Sequence, residues 1–277
     1  IYSMCDMFTT DIFLELEPPR SEKYNLIGVK IPTNQDYYFI SKWHEIFDRY
    51  TVARLFLRKT QEDNWDYWFN PLADADSQKA VEMIFQSNLY ETALINYNIL
   101  VDLSWTITYV SAEYVLYKFD NNNNIVNVQE VYGMSPIEEA YELLRKTENG
   151  VTTPHAEGNP FDYLKKTVPA FEEAIDMIID FWSTFSNSNI RKLYNYIKHK
   201  GKPIYSEINK YQGGKIMDLF IGKEQYPSDI RDVQKIISLK ESIQELIDFD
   251  DNLLFPYMTK LIKSLEQAVE PSPMAYI

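Results

Sequence analysis

One short stretch of this chain gathers several residue types capable of chemistry. From position 188 it reads Ser-Asn-Ile-Arg-Lys-Leu-Tyr-Asn-Tyr-Ile-Lys-His-Lys-Gly-Lys-Pro. Imidazole changes charge between roughly pH 5 and 8 without help from its surroundings, so His199 is a candidate general acid or base. On a helix, at ~100° per residue, Asn195 lies one turn before His199 and Lys192 two turns before it. These three share one polar edge. Arg191 sits roughly 80° away, and its long side chain is expected to curl toward the same edge. Lys198, Lys200 and Lys202 add positive charge around the imidazole, as a phosphate-binding patch would and as a solvated helix end also does. The opposite side carries Leu193, Tyr194 and Ile197 for packing. The catalytic candidates are thus His199, Arg191 and Asn195; the substrate-binding candidates are Lys192, Lys198, Lys200 and Lys202. The alternative is a helix-terminal His bonded to a backbone carbonyl, with the lysines merely solvated.

Charge sharpens the contrast between this stretch and the rest. The 277 residues carry a net charge of −14, yet Ser188–Lys223 holds eight Lys or Arg against two acids. An acidic chain does not attract nucleic acid over its whole surface, so any such binding must be local. Elsewhere the chemical signals are thin. His44 and His155 have no partners close in sequence, and no HExxH, Walker loop or GxGxxG is present. Asp120, Asn122 and Asn124 alternate like calcium ligands, but the sixth and twelfth positions hold Ile125 and Val131, where that loop needs Gly and a bidentate Glu. Asp248, Asp250 and Asp251 read as a solvated helix face. No metal and no cofactor is expected. The single cysteine, Cys5, cannot form an internal disulfide, which points to a reducing cytosol.

The elements that must position the His199 stretch read as helices. Scarce Gly and abundant aromatics (21 Tyr, 15 Phe, 5 Trp) favour packed helices over a turn-rich sandwich. Residues 1–37, broken by Pro18-Pro19 and Pro32, are expected to form an irregular N-terminal arm, and residues 38–277 one helical domain. Within it, helical spacing runs from Tyr38 to about Lys59. A long helix is expected near 77–118, capped by Asp76 or Ser77, with others near 160–186 and 238–269. Ser135-Pro136-Ile-Glu138 is a capping box that opens a further helix. Gly201 and Pro203 close the short helix that carries His199, and Pro256 should kink or split the last one. Asn96, Asn98 and Asp102 interrupt the most apolar helix, which argues against a membrane span.

A string Asn195-x-x-Lys198-His199-x-Gly201-x-Pro203 at the end of an amphipathic helix, after a long apolar helix with a Trp, resembles the HEPN superfamily. The likeness is nearest to its bacterial branches with an Asn-x-x-Lys-His-x-Gly motif. It implies an all-α, up-and-down helical bundle, and for many members a metal-independent endoribonuclease of a bacterial defence or toxin–antitoxin system. It also implies a homodimer, RNA as substrate and an antitoxin protein as partner. The family pairs its His with an upstream Arg. Here Lys192 stands at the permitted spacing and Arg191 one residue too far, and Lys lacks the planar fork that grips phosphate. The alternative is a non-catalytic interaction and dimerisation module.

Overall fold

The computed structural model describes residues 18–21, 29–30, 34–62, 74–117, 165, 169–211, 235–269 and 275–276. The Trp65–Pro71 cluster, the Asp120–Asn124 run, the capping box at Ser135, His155 and most of the expected N-terminal arm lie outside them. Among the described residues the fold is all-α. Its helices are α1 (Asn34–Lys59), α2 (Ala75–Tyr117), α3 (Glu172–Phe185), α4 (Asn189–Lys200), α5 (Ser206–Tyr211), α6 (Leu239–Phe249) and α7 (Phe255–Ala268). Two minimal strand pairs accompany them: β1 (Val29–Lys30) antiparallel to β4 (Ala275–Tyr276), and β2 (Ile204–Tyr205) parallel to β3 (Ile236–Ile237). No helix among the described residues is long and apolar enough to cross a membrane.

The helix boundaries follow local chemistry. α1 starts at Asn34, inside the segment expected to be irregular. Its buried positions Ile40, Trp43, Ile46, Tyr50, Ala53 and Leu57 step by three and four. α2 begins earlier than the capping signal at Asp76 or Ser77 indicates. Asp74 is the cap: its carboxylate accepts the Ser77 backbone N–H (2.9 Å) and the Ser77 hydroxyl (2.8 Å). Those bonds, the backbone one first, hold the Asp74 carboxyl below its ordinary range. Pro256 acts through the residues before it. Asp250–Leu254 form a π turn between α6 and α7, so the proline sits in the first turn of α7, where a missing N–H is tolerated.

The chain divides into two compact units. The first comprises residues 1–50, 99–188 and 253–277. Its core is aromatic. Phe181 stacks on Tyr257 with ring centroids 3.9 Å apart, and Trp105 meets Trp182 edge to face at 4.2 Å. Phe171, Ile175, Ile178, Leu261 and Leu265 fill the space around them with no exposed surface. Burial pushes the Tyr257 hydroxyl well above its ordinary range, and it shares a 2.9 Å hydrogen bond with Ser104 Oγ.

The second unit comprises residues 51–98 and 189–252. Its interior is threaded by polar side chains. Asp250, 4% exposed, accepts Arg54 Nε at 2.8 Å and the Tyr97 hydroxyl at 2.9 Å on the same oxygen. Asp248 and Asp251 are exposed, but Asp250 is not, so the three do not form one solvated face. This unit holds α4.

Candidate nucleic-acid interface

α4 is amphipathic, and its two faces sort the candidate residues. Ile190, Arg191 and Leu193 are buried. Lys192, Lys198, His199 and Lys200 are exposed, and Asn195 is half-buried. Lys192, Asn195 and His199 therefore share the open edge that helical geometry demands. No ion pair or hydrogen bond engages the Lys192, Lys198, His199 or Lys200 side chains among the described residues, and none joins Asn195 to His199. Lys198, His199 and Lys200 thus face solvent in the last turn of a helix whose C-terminal carbonyls favour positive charge, with Lys192 two turns earlier on the same edge.

Arg191 is not on that edge. It is 6% exposed, its Nη1 donates to Asn98 Oδ1 at 3.2 Å, and its guanidinium lies 5.2 Å from the Tyr194 ring centroid. The expected curl of its side chain toward His199 does not occur. A planar guanidinium is weakly hydrated, stacks on aromatic faces and forks onto carbonyl oxygens, so it suits a buried seat better than Lys192 would. Asn98 is ready to receive it. The Asn98 amide already donates to the Leu94 carbonyl at 2.9 Å, which turns its own oxygen outward from the helix backbone.

Lys202 is also withdrawn from the patch. Its ammonium donates to Asn88 Oδ1 (2.6 Å) and Ser87 Oγ (3.3 Å), lies 3.3 Å from Glu91 Oε1, and sits over the Tyr205 ring. Tyr205 donates its hydroxyl to the same Glu91 oxygen at 2.8 Å. Burial, and then the Glu91 charge, pushes that hydroxyl far above its ordinary range, so it remains a donor. Lys202 and Tyr205 clasp the segment after α4 onto α2. They fix where His199 is displayed, and Lys202 is thereby committed to α2.

Between them lies the turn the sequence announces. Gly201 has φ +103°, a left-handed conformation that side chains rarely adopt, and its N–H returns to the Tyr196 and Ile197 carbonyls at 3.2 and 3.3 Å. Pro203 then bars the helix, Ile204 pairs with Ile236, and Tyr196 accepts the Lys235 backbone N–H through its hydroxyl.

The same unit contains a residue that sequence reasoning passed over. Glu207 on α5 accepts from the Ser238 hydroxyl (2.7 Å) and from the backbone N–H groups of Leu239 (2.9 Å) and Lys240 (3.2 Å). It caps α6 from another helix. Partial burial would raise its carboxyl, but the donors, led by the Leu239 N–H, outweigh this and bring it down to about 2. The only sequence signal was Ser238 with Glu241 three residues on, a capping box whose hydroxyl accepts the Glu241 N–H at 3.2 Å.

Among the described residues no group of three or more His, Cys, Asp or Glu side chains is placed to hold a metal. No protein family, curated protein or solved structure matches this chain.

Proposed function

We propose that this chain is a HEPN-like helical protein that engages RNA phosphates through the open edge of α4 and cleaves RNA without a metal. The reading also takes it to act in the cytoplasm, as a homodimer whose bundles set two such edges side by side, with an antitoxin protein as partner. The observation that carries the reading is the solvent-facing set Lys192, Lys198, His199 and Lys200, none of them tied to another side chain among the described residues. Lys192 and Lys198 would hold the phosphate. His199 would take the proton of the 2′-hydroxyl as it attacks, or return one to the leaving oxygen. A lone imidazole cannot neutralise the charge of a pentavalent phosphate, so the lysines are required. Arg191 has no role in this step, because its side chain is buried against Asn98 and Tyr194.

RNA cleavage in the presence of a chelator tests this. Wild type should cut, His199→Ala should bind RNA but not cut, and Lys198→Ala should weaken binding and flatten its salt dependence by roughly one phosphate. Absence of cleavage by the wild type would overturn the nuclease.

The burial of Arg191 favours a second reading, a non-catalytic module in which the same edge organises self-association or docks an acidic partner. Light scattering separates the two. A dimer that falls apart in Lys192→Ala/Lys198→Ala, with no RNA cleavage, supports the module.

A further inference from the structure

Two helices of the second unit, α4 and α6, present exposed stripes of opposite charge. On α6 the acids Glu241, Glu245 and Asp248 step by four and then three, so they fall within about 60° of arc and span about 10 Å. Lys240 is the one cation of this helix, and it lies about 100° round from Glu241. On α4 Lys192 and His199 are also seven positions apart, with Lys198 and Lys200 flanking the imidazole. The two stripes are therefore equal in length.

Neither stripe finds its counter-charge within the chain. In other helices Lys42, Lys59 and Lys79 each pair with a glutamate three residues on. Among the described residues Glu241 and Glu245 have no ion pair, and the Asp248 carboxylate accepts only the Gln244 amide, at 2.9 Å. The cations of the α4 edge are equally unpaired. α3 also shows a row of acids, Glu173, Asp176 and Asp180, but Lys165 is bonded to Asp176 in the middle of it. The row on α6 is uninterrupted, and it matches the α4 edge in length and opposes it in sign.

We infer that the α4 edge docks on the α6 stripe of a second copy of this chain. The inference rests on the reading of that edge as a surface for self-association, and it names the partner. Antiparallel docking sets Lys192 against Asp248 and Asn195 against Glu245, with Lys198 and Lys200 on either side of Glu241. It also brings the C-terminal end of α4 beside the N-terminal end of α6, where the helix dipoles attract. Both stripes belong to one compact unit, so a two-fold pair makes the contact twice. Two α4 edges side by side would set like charges together and need a polyanion between them. The α4–α6 contact needs none and belongs to the RNA-free chain. Exposed ion pairs are individually weak and screened by salt, so this dimer is transient.

Sedimentation velocity on the full chain, without RNA, tests the contact by charge exchange. In low salt the wild type should dimerise with a Kd of about 1–100 μM, and raising the salt to about 0.5 M should weaken the dimer roughly tenfold or more. Lys192→Glu/Lys198→Glu and Glu241→Lys/Asp248→Lys should each be monomeric alone. Their equimolar mixture should dimerise again, because reversed stripe then meets reversed stripe and native meets native. If a reversal variant misfolds, Glu241→Gln/Asp248→Asn, which keeps shape and removes charge, should still weaken the dimer severalfold. A dimer broken at α4 but indifferent to the α6 variants, or a mixture that stays monomeric, would overturn the α4–α6 contact and leave self-association through α4 standing. A wild type that is monomeric at every concentration would overturn both.

Discussion

The two units of this chain are built from the same kind of helix yet are held together differently. In the first, large rings meet directly: Phe181 on Tyr257, Trp105 against Trp182. In the second, charged and polar groups reach across from one helix to another: Arg54 and Tyr97 to Asp250, Arg191 to Asn98, Lys202 and Tyr205 to Glu91, Glu207 to the start of α6. Apolar packing is non-directional and tolerates rearrangement, whereas a buried charge must keep its partner or lose much of its stabilisation. The difference explains the fate of the basic residues around His199. Two of the cations in this stretch, Arg191 and Lys202, hold the second unit together, and only the remainder is left for a ligand.

The contrast can be broken most sharply at Asp250. Replacing it by Ala leaves the half-buried Arg54 without this carboxylate and should cost about 3 kcal/mol in urea denaturation. A loss under about 1 kcal/mol would mean that the polar threads are not what holds this unit. Arg191→Lys keeps the charge but loses the Asn98 bond and the flat contact with the Tyr194 ring, and should cost about 1.5–3 kcal/mol while leaving RNA affinity unchanged. A fall in affinity at unchanged stability would return Arg191 to the binding edge. In the aromatic unit, Tyr257→Phe removes one hydroxyl from the Ser104 pair and should cost only about 1 kcal/mol by thermal unfolding. The smallest effect belongs to Glu207. Its carboxyl is held at about 2 in the folded protein against an ordinary 4.5. It therefore stabilises fully above pH 4.5, and that contribution is lost as pH falls toward 2. Glu207→Gln should cost about 0.3–1 kcal/mol near neutrality, and its stability should decline less steeply with acid than that of the wild type.

Spacing made α1, α3, α6 and α7 legible, because each buries a stripe that repeats every three or four residues, whereas α2 is buried on most sides of its middle and the short α5 gives no such stripe. α4 was readable almost to the residue, since Gly201 and Pro203 can only end it. Which cation would face inward was not readable. Arg191 and Lys192 are adjacent and equally charged, and the choice was made by Asn98, far away in sequence on α2. In the sequence Asn98 reads as a polar break in an apolar helix, although a buried amide there needs a partner. Asp248, Asp250 and Asp251 look alike in sequence, and only Arg54 and Tyr97, far away along the chain, distinguish the one that turns inward. Glu207 gave no local cue at all, since the groups it caps belong to another helix.

Arg54 and Asp250 are separated by 196 positions, and Tyr97 and Asp250 by 153. The second unit is thus assembled from two stretches of chain with residues 99–188 strung between them. Its closing contacts have high sequence separation, so their loop entropy is paid before they form. During synthesis from the N-terminus, Arg54 and Tyr97 leave the ribosome long before their acceptor does. The basic edge of α4 is translated before the carboxylate that locks its unit, so a nascent chain paused ahead of residue 250 displays its lysines on a half-built scaffold. Completion of this unit waits for residue 250 to be made, and slow-translating codons between residues 200 and 250 should lengthen the interval before α4 is locked in place.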